Sequence, residues 1–102
     1  MSYFAVCTFD LKNAVTKDYQ TAYEILDKIG FKKQIHTKVG RTISLPTTTT
    51  AGTFTGTSSD TIRKELCNHV QKEFSAKGFT SEIIIIVGEN WSWEQRTTKR
   101  KN

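Results

Sequence analysis

Asp10 closes the first strand-like run of the chain, Tyr3 to Phe9. A carboxylate at the end of a central strand, beside a loop, reaches solvent and can hold a hard cation such as Mg2+ or Mn2+. An aspartate there also serves as a turn or cap residue that hydrogen-bonds its own backbone. In a symmetric dimer two copies of Asp10 would face each other and share one ion, so one carboxylate per chain would suffice for metal-assisted chemistry. His36 is the second candidate catalytic group. It stands among Lys32, Lys33, Lys38 and Arg41, where an imidazole can touch a phosphate or move a proton, although a merely solvated strand histidine has the same setting. From Lys28 to Arg41 the chain carries five Lys or Arg and no acid. That charge suits a phosphate-contact surface, and it is also what an edge strand uses against aggregation. Trp91 and Trp93 share a face if the chain there is extended, and either stack unpaired bases or anchor a subunit interface, the reading we prefer.

The elements that must position these groups are delimited by two stop signals, Ile29-Gly30-Phe31 and Lys77-Gly78-Phe79. Glycine takes the left-handed conformation just past a helix end, and the apolar residue after it packs back on the last turn. The first helix is predicted from Thr16 as N-cap to Gly30, with Ala22, Leu26 and Ile29 on one face. The second begins at Ser58 or Ser59, and Ile62, Leu66, Val70 and Phe74 recur every fourth residue as its buried stripe. Between them, Lys32 to Val39 alternates as a half-buried strand, and Thr42 to Leu45 pairs back on it before Pro46. The threonine-rich run Thr47 to Thr57 reads as a loop followed by an edge strand. Ser81 to Val87, apolar on both faces, reads as a central strand whose second face a partner subunit covers.

Strand, helix, strand, strand, helix, strand is the order of an α+β, ferredoxin-like βαββαβ domain, one four-stranded antiparallel sheet with two helices on one face. The boundaries predicted are a single domain over 1–94 and a basic polar tail over 95–102, the latter including the run Arg96 to Lys101.

At 102 residues and 36% hydrophobic content the chain is short of apolar cover for a second sheet face, so a homodimer is expected. A net charge of +5 and a pI near 9.4 favour a polyanionic partner, RNA or DNA. Cys7 and Cys67 have neither zinc-site spacing nor the density of a disulfide scaffold, and are read as buried thiols in a reducing compartment. With no long apolar run and no signal-peptide pattern, a cytoplasmic protein that does not enter the membrane is expected. The threonine loop has hydroxyls but no Gly-rich phosphate-loop motif, no Ser-His-Asp order and no paired acids at helical spacing, so hydrolases and nucleotide-binding enzymes of the usual kinds lack support.

Phe9-Asp10-Leu11-Lys12, followed by Tyr19, Ala22-Tyr23 and Leu26 and then Gly30-Phe31, resembles virulence-associated protein D and the related small CRISPR-associated ferredoxin-like endonucleases. The likeness covers about the first third of the chain. Size and architecture are also similar to those of the small antitoxin ribonuclease GhoS. The resemblance implies a homodimer acting on RNA or DNA, with Asp10 as the one family residue that transfers, a metal or catalytic group. The function expected is therefore nucleic-acid binding with metal-dependent endoribonuclease activity, in a toxin–antitoxin or genome-defence system. Its alternative is a non-catalytic interaction module that docks a protein on an open sheet edge or on Trp91 and Trp93.

Overall fold

The computed structural model describes residues 1–99; Arg100 and Lys101 of the basic tail lie outside the described residues. The chain runs β1 (Ser2–Leu11), α1 (Thr16–Ile29), β2 (Gln34–His36), β3 (Thr42–Ser44), β4 (Thr49–Thr55), α2 (Ser59–Ala76) and β5 (Ser81–Gly88). The architecture is α+β. Instead of one four-stranded sheet there is a three-stranded antiparallel sheet, ordered β4-β1-β5, and a separate β2-β3 hairpin.

Period-two alternation decides the layering. Tyr3, Ala5, Cys7, Phe9 and Leu11 of β1 are buried under the helices, while Phe4, Val6, Thr8 and Asp10 face the other way. Opposite them stand Ile85 and its neighbours on β5 and Thr50 on β4. Among the described residues Thr50 is the one buried polar side chain, and its hydroxyl donates to the Cys7 carbonyl at 3.0 Å, which satisfies it. From the helices come Ala22 and Leu26 of α1 and Ile62, Leu66, Val70 and Phe74 of α2. Phe74 meets Phe9 and Phe79 edge to face, with centroids 5.7 and 5.6 Å away.

Both glycine stops work as read: Phe31 and Phe79 send their N–H groups back to Leu26 and Phe74. The start of α1 differs from the expectation. Val15, not Thr16, is the N-cap, and Asp18 caps the turn by accepting the Val15 N–H at 3.1 Å. Ser58 caps α2, accepting from the Thr61 N–H at 3.1 Å.

Two strand expectations and one burial expectation need correction. The predicted strand over Lys32–Val39 shrinks to Gln34–His36, because residues 37–41 turn, and Val39 points to solvent. Its link to the sheet is a single bridge, Lys32 with Ala51, whose two backbone bonds measure 2.8 and 2.9 Å. β5 is an edge strand, not a central one. Cys67 is half-buried, where Cys7 is fully buried.

The result is a flat molecule, 43 × 40 × 19 Å, one sheet and one helix layer thick. Its radius of gyration of 14.6 Å exceeds the roughly 13 Å usual for this length. One sheet face stays open. Only part of it is covered, by the hairpin's apolar side and by the segment after β5.

Candidate functional site

Asp10 belongs to the open face because it falls on the even positions of β1, and its side chain is 60% exposed. Directly across the ladder stands Glu82 of β5. Two carboxylates opposite each other repel. Lys12, two residues on and therefore on the same face, places its Nζ 2.8 Å from Glu82 Oε1 and 3.3 Å from Asp10 Oδ2. The hydrogen bond to Glu82 first, and that to Asp10 second, raise the Lys12 pKa above its ordinary value. The Tyr19 hydroxyl, brought up by the first turn of α1, lies 3.3 Å from Asp10 Oδ1 and 3.2 Å from the Leu11 carbonyl, so its one proton serves either.

The acids open into a groove of about 440 Å³ that Thr8, Thr48 and Ile84 also line. Thr48 has φ of 61°, the left-handed region, which is an outlier for a β-branched residue. Three bonds hold it there. Its N–H donates to Tyr23 Oη at 2.7 Å, its carbonyl accepts from the Phe9 N–H at 3.1 Å, and its hydroxyl donates to the Thr47 carbonyl at 2.6 Å. Such strain gathers at sites that need a fixed backbone.

His36 is elsewhere. It sits exposed on the hairpin with Nδ1 3.1 Å from Thr42 Oγ1, and it lines a different cleft, of about 890 Å³, between α1 and β2. Asp10 and His36 are therefore not brought together as an acid–base pair. Lys28, Lys32 and Lys33 line the same cleft as His36, over Tyr23 and Phe31. Lys32 is engaged by Asp27, with Nζ 2.9 Å from Oδ1. Lys33 lies 4.8 Å above the Tyr23 ring, a cation–π contact that leaves its charge unneutralised. Lys38 and Arg41 flank the hairpin turn, which is fixed by the Thr37 hydroxyl accepting the Arg41 N–H at 3.0 Å. Among the described residues, Lys28, Lys33, Lys38 and Arg41 form no ion pair.

Trp91 stacks on Phe4 with centroids 4.3 Å apart and stays 45% exposed. Trp93 lines a groove of about 420 Å³ with Val6, Ile35, Leu45 and Pro46. Both rings thus lie on the chain's own open sheet face.

Glu82 and Thr48 were not singled out from sequence, since their relevance arises only from the β1–β5 and β1–β4 pairings. Among the described residues no group of three or more His, Cys, Asp or Glu is placed to hold a metal, and no helix is long and apolar enough to cross a membrane. No protein-family model matches the chain, and no curated protein matches it.

Proposed function

We propose that the protein binds nucleic acid as a homodimer, with the hairpin and the C-terminal end of α1 as the phosphate-contact surface. The observation that carries this reading is the set of cations Lys28, Lys33, Lys38 and Arg41 on the hairpin and the C-terminal end of α1, which among the described residues form no ion pair. Positive charge that no carboxylate neutralises is what the phosphates of a nucleic acid engage. In the ferredoxin-like description, the hairpin stands in for the second strand of βαββαβ.

The same reading gives the groove at Asp10 an endoribonuclease role. Mg2+ takes one or two carboxylates and completes its shell with water and substrate phosphate, so Asp10 with Glu82 fits it without a third acid. Bound there, the ion would activate water and offset charge on the phosphate. Lys12 holds the two acids together in its absence, and Tyr19 orients the Asp10 carboxylate.

Fluorescence anisotropy with labelled single-stranded RNA and DNA tests the binding. Four phosphate contacts predict a slope of about −3 for log affinity against log salt. No binding, or binding indifferent to salt, would move the assignment to a protein-interaction module.

A further inference from the structure

The sheet has two edges, and the described residues guard only one. The outer edge of β4 is met by the reciprocal Lys32–Ala51 bonds and screened by the hairpin. β5 pairs with β1 on one side, and among the described residues its other side has no backbone partner. Natural edges carry a proline, a lysine, a bulge or a cover. β5 has none of these: it runs eight residues, Ser-Glu-Ile-Ile-Ile-Ile-Val-Gly, with Glu82 its single charge. On the open face Ile84 and Ile86 are 60% and 65% exposed, although water is a poor solvent for both.

We propose that this edge is a self-complementary interface: β5 pairs antiparallel with β5 of a second copy, about a two-fold axis normal to the sheet at Ile85. The inference rests on the homodimer of the proposed function and specifies how it forms. An axis normal to the sheet keeps the helices of both copies on one side, so residues that oppose each other must share a face. The apolar run Ile83–Val87 is centred on Ile85. Centring there sets Ile84 against Ile86, Ile83 against Val87 and Glu82 against Gly88. Each exposed isoleucine then covers one from the partner, a cross-strand pair of branched side chains. Sliding the register by two residues would lay Glu82 against Ile86 and leave Val87 against Ser81, which removes apolar pairing at both ends.

The outcome is one continuous six-stranded sheet, and a second copy is the occupant because the pattern matches itself. From the spacing of strands and the rise per residue, the two Asp10 residues stand on the order of 25 Å apart. Each acid pair, Asp10 with Glu82, therefore works within its own chain, and the two copies of Asp10 do not share an ion.

Sedimentation of the full chain, with disulfide trapping, tests the register. In a Cys67→Ser background, differently tagged Ile84→Cys and Ile86→Cys copies are mixed and mildly oxidised, and melting curves confirm that both fold. The expected result is a dimer in which the mixed pair cross-links several-fold more than either variant alone, since only the mixed pair sets two thiols opposite each other. A dimer without that preference overturns edge pairing and leaves the homodimer standing. A monomer at micromolar concentration overturns both, and RNA binding measured on the same sample shows separately whether the nucleic-acid reading survives.

Discussion

Asp10 faces Glu82 across the β1–β5 ladder, and a single ammonium group, that of Lys12, spans the two carboxylates at 3.3 and 2.8 Å. A cation that can leave and two acids that stay form an arrangement a divalent ion can enter. Asp10→Asn keeps the shape and removes the charge. RNA cleavage with Mg2+ or Mn2+ should fall by orders of magnitude, while the dimer and its Tm change little. Unchanged cleavage would make Asp10 a structural residue.

The raised pKa of Lys12 sets a pH dependence. A group whose pKa is higher folded than unfolded adds stability in full below its unfolded value, ordinarily 10.5, and that contribution fades as pH climbs through the folded value. Melting curves should therefore show an alkaline loss of Tm above pH 10.5 that is smaller in Lys12→Met. Equal losses in both proteins would mean that the Lys12 contacts do not persist in solution.

Burial pushes the Cys7 thiol up to about 12, chiefly by desolvation, and its neutral form is inert toward disulfide reagents. Half-buried Cys67 is the reactive one. Native protein should titrate one thiol quickly and the second only on unfolding. Two fast thiols would place Cys7 outside the core.

Thr48 should be replaceable at a gain. Asparagine tolerates the left-handed region and keeps the N–H that reaches Tyr23. Thr48→Asn is expected to stabilise the fold by about 1 kcal/mol, read as a Tm rise of roughly 4–8 °C. A lower Tm would show that the Thr48 hydroxyl outweighs the strain.

Much of this was legible in the chain because its signals are local. Gly30 and Gly78 stop helices through their own backbone, the stripe from Ile62 to Phe74 needs only a period, and Asp10 lies at a strand end in any register. What was not legible depends on long-range pairing. Glu82 becomes the partner of Asp10 only once β5 is laid antiparallel on β1, and Lys32 is drawn to Asp27 only once Gly30 has turned the chain. An all-apolar strand reads alike whether its second neighbour is a strand of the same chain or of another. That ambiguity made β5 look central. The alternation through Lys38 and Val39 misled in the opposite way, since a tight turn can carry an alternating sequence by chance.

Placement of charge, rather than its sum, is the core of the account, and one comparison measures it. Lys33→Glu/Lys38→Glu/Arg41→Glu reverses charge on the hairpin surface, whereas Lys64→Glu/Lys72→Glu/Lys77→Glu makes an equal change of net charge on the exposed face of α2 and just past its end. Anisotropy titrations against single-stranded RNA at fixed salt should show the hairpin variant losing binding by a hundredfold or more by order of magnitude, with the α2 variant within a few-fold of wild type. Equal losses in the two variants would contradict a localised nucleic-acid surface.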